Sequence, residues 1–176
     1  MFIDLLRKRR SIRNFDQRPV EPEKLDILTE ALLRSPASKG RYPWEFILVT
    51  DPDIISQLAV AKPKGGGFLE KAPLCVVICG NPGISDVWIE DCTVAATIVQ
   101  LAAEDLGLGS CWCQIRRRQH ASGVSSTAVL RQQLGLPDCL EVACIIGIGY
   151  PLATIAPRSR TSLPSRKVHK NVYQKS

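Results

Sequence analysis

The feature that most constrains the fold is a helical stretch, residues 88–108, that is apolar on nearly every side. It contains four acidic residues, so it is predicted to be a buried helix and not a membrane span. Asp86 lies just before it and is predicted to cap its first turn. Since a helix without a polar face must be covered all round, we expect a sheet on one side and a second subunit on another.

Four short apolar segments are predicted to be strands, and polar or amphipathic stretches separate them. The strand segments are residues 45–50, 74–80, 110–115 and 141–148. Strands alternating with helices indicate an α/β sandwich. A chain of 176 residues is the size of a single domain, which we expect to span residues 1–176. Residues 152–176 show no periodicity and are expected to form an extended C-terminal arm that stays loose or lies along a partner surface.

The net charge of +6 is concentrated at the two ends of the chain. Residues 1–18 hold six basic and two acidic side chains, and residues 157–176 hold six basic and none acidic, whereas the middle is acidic overall. The two basic ends are either solvated tails or parts of one anion-binding site. No aromatic interleaving and no nucleic-acid-binding motif accompanies the charge, so a nucleic-acid partner is not expected.

The seven cysteines are odd in number and include no C-x-x-C pair. Most of them fall in predicted strands, which indicates small buried side chains in a reducing cytoplasm. Cys111-x-Cys113 as a metal or redox pair stays open as an alternative, but with only two histidines no metal site is expected. The first eleven residues place apolar before basic side chains, the reverse of a secretory signal, so a cytoplasmic protein is expected.

Four segments carry groups that could bind a ligand. Residues 9–13, Arg-Arg-Ser-Ile-Arg, can direct three guanidiniums and a hydroxyl at a phosphate, and residues 158–160 repeat the Arg-x-Arg spacing. Residues 35–44 form a polar loop, and residues 106–115 run from a buried helix directly into a buried strand. No nucleophile–base pair stands out, which favours chemistry carried by a cofactor.

These segments resemble the nitroreductase family of FMN-dependent, NAD(P)H-utilising flavoproteins. The similarity rests on four motifs in the family's order: R-R-S-I-R-N-F at 9–15, S-P-A-S-K-G-R-Y-P-W-E-F at 35–46, W-I-E-D through L-G-L-G-S-C-W at 88–112, and I-G-I-G-Y-P at 146–151. The S-K-G-R-x-P-W loop is similar to that of a shorter branch of the family.

The resemblance implies an α+β fold, a three-layer α/β/α sandwich with a mixed central sheet of four to five strands. It implies a homodimer with FMN at the subunit interface and the C-terminal segment extending onto the partner. It assigns no catalytic side chain, because flavin N5 carries the chemistry. The FMN-binding residues that it implies are Arg9, Arg10, Ser11, Arg13, Pro36, Ala37, Ser38, Gly40, Gly65, Cys113, Gln114, Ile115, Arg158 and Arg160. Among these, the backbone of residues 113–115 is expected near flavin N5 and O4.

The resemblance further implies a ping-pong reaction in which NAD(P)H passes hydride to flavin N5 and an electron-poor acceptor, such as a nitroaromatic or a quinone, is then reduced. Arg41, Tyr42 and Lys64 are candidate contacts for the dinucleotide or the acceptor. Gly40 and Tyr42 stand where many members carry Asn and Gln. Two alternatives therefore stay open: a flavin-binding module without efficient NAD(P)H turnover, and a member specialised for a different acceptor. The basic run 116–118 is either a solvated surface or a contact for an anionic substrate.

Overall fold

The computed structural model describes residues 1–174, which contain five α-helices and four strands. The helices are α1 (Phe2–Lys8), α2 (Pro22–Leu33), α3 (Pro52–Val60), α4 (Trp88–Asp105) and α5 (Ser126–Leu134). The strands are β1 (Trp44–Val49), β2 (Leu74–Gly80), β3 (Gly109–Gln114) and β4 (Glu141–Gly149). Short 3-10 turns occupy Ser38–Gly40, Gly67–Lys71, Arg160–Ser162 and Ser165–Lys167.

The predicted cap of the central helix is wrong. Helix α4 begins at Trp88, Val87 occupies the cap position, and no side chain caps the helix. Asp86 stays exposed, and its nearest charged partner is Arg41, whose Nη1 lies 3.9 Å from its Oδ1. The first turn instead carries Glu90 and Asp91, whose charges suit the helix dipole.

The four strands form one sheet in the order β1-β2-β4-β3, and every pair of neighbours is antiparallel. The number of strands agrees with the prediction, whereas the pairing differs from the expected mixed sheet. The one parallel contact in the described part of the chain is an isolated bridge between Ser11 and Ser110. The chain pairs antiparallel after α3 and the 3-10 turn Gly67–Lys71, between β1 and β2, and again after the single helix α5, between β3 and β4. A helix between two strands therefore does not fix parallel pairing in this sheet.

Helices cover both faces of the sheet, which gives three layers. Cys75, Val77 and Cys79 of β2 pack with α3, α5 and the 3-10 turn Gly67–Lys71 on one face. Leu74, Val76 and Ile78 of the same strand pack with α2 and α4 on the other face. Alternation of side chains along β2 thus supplies both cores.

Helix α4 is covered over most of its surface by the sheet and by α2. Cys92, Ala96 and Val99 are fully buried, as the sequence predicts. A narrow strip of Thr93, Val94 and Thr97 stays exposed on the single chain.

The two chain ends lie side by side at one end of the sheet. The Ile12 N–H donates to the Ser110 carbonyl at 2.9 Å, and the Leu152 N–H donates to the Asn14 carbonyl at 3.2 Å. Phe15 and Pro151 form an antiparallel bridge between the two segments. Residues 152–174 of the predicted arm are exposed almost throughout, and its last two residues lie outside the described part of the chain.

Candidate functional site

A cavity of about 1140 Å³ lies between the N-terminal segment and the C-terminal arm. Its lining residues are Ile3, Leu6, Arg7, Arg9, Arg10, Ser11, Arg13, Ile155, Pro157, Arg158, Arg160 and Leu163. The structure therefore brings together the two arginine segments, residues 9–13 and 158–160, that lie 145 positions apart in the sequence. The basic chain ends share one site.

The arginines of this cavity differ in how far they are already engaged. Arg7 pairs with Asp4 at 2.9 Å, and Arg10 Nη1 donates to the Ala156 carbonyl. Arg9 and Arg13 form no ion pair with a carboxylate anywhere in residues 1–174.

Arg158 and Arg160 likewise form no ion pair with a carboxylate in the described part of the chain. Four unneutralised guanidiniums around one cavity create a strongly positive potential. Partial burial raises the pKa of the Glu104 carboxyl on α4, and the charges of Arg9 and Lys8 oppose that rise.

This set of donors fits a phosphate group. Guanidiniums and a hydroxyl, here from Ser11, form charge-assisted hydrogen bonds to phosphate oxygens. Apolar side chains of Ile3, Leu6 and Ile155 complete the wall, which suits a ligand that also has an uncharged part. Arg7 was not among the predicted site residues, and its place at the end of α1, three residues before Arg10, was the available clue.

A second group of candidate residues lies around strand β3. The Cys113 thiol approaches the Gly65 carbonyl at 4.0 Å, so two of the residues that the resemblance assigns to FMN binding lie together. Gly65 has a φ of +79°, which a residue with a side chain rarely adopts. Lys62, which the sequence analysis did not single out, is half-buried in the same turn.

The direction in which the β3 backbone groups point leaves only one of residues 113–115 free to contact a ligand at the sheet edge. The Ser110 carbonyl faces away from β4, since it accepts from Ile12, and alternation then turns the backbone of Gln114 outward as well. Cys113 faces β4, and the Ile115 N–H donates to the Ala143 carbonyl at 3.4 Å. Of the three predicted residues, Gln114 is therefore the one whose backbone faces the free edge of the sheet.

The loop that contains Pro36, Ala37, Ser38 and Gly40 does not line the cavity of the single chain. It is a tight loop in which Lys39, Gly40 and Tyr42 all have positive φ, at 54°, 62° and 47°. Such a backbone is fixed by its surroundings.

The loop is anchored by Asp91 of α4, whose Oδ1 accepts from the Ser38 N–H at 2.9 Å. Asp91 is only 6% exposed, and the sequence analysis gave it no role beyond the charge of the first helical turn. The clue was an acidic residue near the start of an otherwise apolar helix. Its other oxygen is buried and has no hydrogen-bond partner in the described chain.

The three candidate substrate residues are all exposed and lie in loops. Arg41 is near Asp86, and the Tyr42 ring packs against Trp44 with centroids 5.3 Å apart. Lys64 follows Lys62 in the turn after α3. The guanidinium of Arg116 in the basic run 116–118 lies 5.9 Å from the centroid of the Trp88 ring.

The cysteines are all free, and six of the seven are buried. Burial raises the pKa of Cys75, Cys79 and Cys92 to about 12 and that of Cys113 to about 11. Thiols in this state are poor nucleophiles. In residues 1–174, no group of three or more His, Cys, Asp or Glu side chains is placed to hold a metal ion.

No helix in the described part of the chain combines the length and the apolar character that crossing a membrane requires.

The sequence profile of the Nitroreductase family matches residues 6–62 and 57–150. The chain belongs to this family, which confirms the family that the sequence resembles. A solved structure, an FMN-dependent nitroreductase from Clostridium difficile R20291, is 42% identical and superimposes with a TM-score of 0.95, over 97% of this chain and 99% of that one.

Two further relatives show similar agreement. An Archaeoglobus fulgidus protein provisionally named NADH dehydrogenase/NAD(P)H nitroreductase is 30% identical over 153 residues, which are 85% of this chain and 84% of the relative. An NADH dehydrogenase from Thermus thermophilus is 27% identical over 89% of each chain. The shared fold confirms the predicted α+β class.

Proposed function

We propose that this protein is an NAD(P)H-dependent flavin oxidoreductase, with FMN as its cofactor and residues 1–176 as one FMN-binding domain. The observation that carries the proposal is the cavity in which guanidiniums from both chain ends meet. Its support is the relative named as an FMN-dependent nitroreductase, which matches this chain nearly end to end. Nitroaromatics and quinones are the proposed acceptors.

The phosphate end of the proposed site is the basic cavity. Arg9, Ser11 and Arg13 hold the FMN phosphate and ribityl chain from the N-terminal side, and Arg158 and Arg160 close on it from the arm. Arg10 contributes partly by holding the C-terminal arm beside the cavity, because its guanidinium donates to the Ala156 carbonyl. Each charge-assisted hydrogen bond of this kind contributes about 1.5–3 kcal/mol.

The ring end of the proposed site lies along β3. Gln114 offers backbone groups at the free edge, and Gly65 lets the neighbouring turn approach closely. The loop at 36–40 reaches the ring from a second subunit, in a homodimer with FMN at the interface. Exposed apolar side chains on α1, including Phe2 at 65% and Leu6 at 48%, support such an interface.

When bound, FMN supplies the redox chemistry by accepting hydride at N5 and giving it up again. The chain orients the ligand and supplies positive charge and hydrogen-bond donors around it. The two substrates use one open site in turn, which makes the kinetics ping-pong. Arg41, Tyr42 and Lys64 contact the dinucleotide or the acceptor from the loops. The proposed setting is the cytoplasm, without nucleic-acid or membrane partners.

The proposal is tested by the visible spectrum of the purified protein, followed by anaerobic addition of NADH or NADPH and then of menadione. We expect a flavin spectrum that bleaches with one of the dinucleotides and returns with the quinone. A protein that binds no flavin contradicts the whole proposal.

The same experiment tests an alternative function, that of a flavin-binding module without turnover. It is favoured by Gly40 and Tyr42, which offer no paired amide groups, and the Tyr42 ring packs against Trp44. A bound flavin that neither dinucleotide reduces would select this alternative. Reduction by a dinucleotide without reoxidation by quinones or nitroaromatics would instead indicate a specialised acceptor.

A further inference from the structure

Lys62 lies at the point where strand β3 and the turn after α3 meet. Its Nζ is 3.7 Å from the position that a Cβ on Gly65 would occupy. The Gly65 carbonyl in turn lies 4.0 Å from the Cys113 sulfur. The ammonium group is thus next to two residues of the proposed ring end, although it is not one of the residues that the family motifs assign.

The turn that follows Lys62 packs closely against the end of α3 at Gly66. A Cβ at Gly66 would come within 2.6 Å of the carbonyl oxygens of both Ala59 and Lys62. The Leu69 N–H donates to the Gly66 carbonyl at 2.9 Å and fixes the start of the next turn. Lys62 is half-buried in this turn, whereas Lys64 two residues later is exposed.

The positive charge of Lys62 acts on β3, the strand along which the flavin ring is proposed to lie. It forms no ion pair with a carboxylate in residues 1–174. Burial raises the pKa of the Cys111 and Cys113 thiols, and the Lys62 charge opposes that rise at both. Arg13 and Arg9 also act on Cys111, so positive potential extends from the phosphate cavity along β3 toward Gly65.

We infer that Lys62 is the cation at the ring end of the FMN site, where it stabilises the negative charge that the flavin gains on reduction. This inference rests on the proposed function. A fixed ammonium group beside a site that gains electrons favours the reduced state, because its charge is already in place when the electrons arrive. Lys62 therefore raises the reduction potential of the bound flavin, because it strengthens the binding of the reduced form more than that of the oxidised form.

The test compares FMN-loaded wild-type protein with Lys62→Gln and Lys62→Arg, and the readout is the midpoint potential measured by equilibration with a redox dye. Lys62→Gln is expected to lower the potential, and Lys62→Arg to restore most of it. Lys71→Gln is the matched control: it removes one positive charge from an exposed position whose Nζ faces Asn14 at 3.3 Å, and should leave the potential unchanged.

The thermal unfolding midpoint of each variant separates loss of charge from loss of fold. If Lys62→Gln folds but binds reduced FMN and reduced riboflavin several-fold more weakly than the wild-type protein does, the inference is supported, because the two flavins share the ring end. An unchanged potential and unchanged affinity in Lys62→Gln overturn it. Equal shifts in Lys62→Gln and Lys71→Gln also overturn it. A wild-type protein that binds no FMN refutes the proposed function itself, which distinguishes the two failures.

Discussion

At the scale of single residues, Gly109 decides how closely the arginine segment approaches the sheet. A Cβ at this position would lie 2.7 Å from Cγ1 of Ile12, a buried side chain between the site residues Ser11 and Arg13. The glycine therefore allows the segment to pair with β3 at Ser110. Close packing also explains the second glycine of the I-G-I-G-Y-P motif, since a Cβ on Gly149 would lie 2.5 Å from Cδ of Pro73.

Gly109→Ala is expected to destabilise the protein by about 1–3 kcal/mol, because Ile12 must move out of a packed site. The measurement is urea denaturation, with FMN affinity determined in parallel. Gly67→Ala is the control, since a Cβ there meets nothing within 4 Å. Equal stability of the two variants would contradict the packing argument.

The thiols give a second prediction at this scale. Cys139 is exposed and the other six cysteines are buried, so a thiol reagent at pH 8 should modify one thiol quickly in the folded protein. Because burial raises the pKa of Cys75, Cys79 and Cys92 from 9.0 to about 12, these thiols stay protonated at that pH. Their contribution to stability is complete below pH 9 and decreases as the pH rises toward 12. Cys139→Ser should abolish the rapid phase, and a rapid phase that survives would contradict this assignment.

At the scale of elements, the C-terminal arm depends on a few ties to the rest of the chain. Its beginning is fixed by the Phe15–Pro151 bridge and by the Leu152 N–H on Asn14, and further along Arg10 donates to the Ala156 carbonyl. The arm is otherwise exposed. The position of Arg158 and Arg160 beside the cavity therefore depends on a side chain from the opposite end of the chain.

Arg10→Gln is expected to free the arm and to accelerate tryptic cleavage after Arg158 and Arg160 in the flavin-free protein. FMN binding should weaken by about 1–3 kcal/mol through loss of a hydrogen bond from a charged group. Arg34→Gln, at the exposed end of α2, removes the same charge and should leave the cleavage rate unchanged. Identical cleavage rates in the two variants would show that Arg10 does not hold the arm.

Elements and motifs could be predicted from the sequence where local patterns determine them. Apolar runs located β2 and β4, and the arginine spacing indicated both sides of the cavity. The antiparallel pairing could not be predicted in this way, because one helix separates β2 from β3 and one separates β3 from β4, and only the tertiary packing places β4 between β2 and β3. Lys62 was missed for a similar reason: its neighbours Gly65 and Cys113 are fixed by tertiary contacts.

At the scale of the whole molecule, the single chain leaves apolar surface on α1 and on the arm. Exposed side chains there include Phe2, Leu6, Leu152 and Leu163. A chain of this size buries only about 70% of its surface when it folds alone, so association is a natural supplement. A homodimer would also bring the loop at 36–40 to the cavity of its partner.

The proposed dimer predicts that Phe2→Asp shifts the protein toward monomer in light scattering and weakens FMN binding with it. Val124→Asp is the control, because Val124 is also about half-exposed, at 49%, and lies in the loop before α5. A wild-type protein that is monomeric at all concentrations, yet binds FMN, would contradict the interface site.

The most direct measurement of the central claim is a titration of the flavin-free protein with FMN and, separately, with riboflavin, which lacks the phosphate. The wild-type protein should bind FMN at least ten-fold more tightly. Arg9→Ala and Arg13→Ala should each cost about 1.5–3 kcal/mol in FMN affinity and weaken riboflavin binding much less, because riboflavin keeps only the ribityl contacts. Equal wild-type affinity for the two flavins, or variants that weaken both equally, would show that the basic cavity is not the phosphate site.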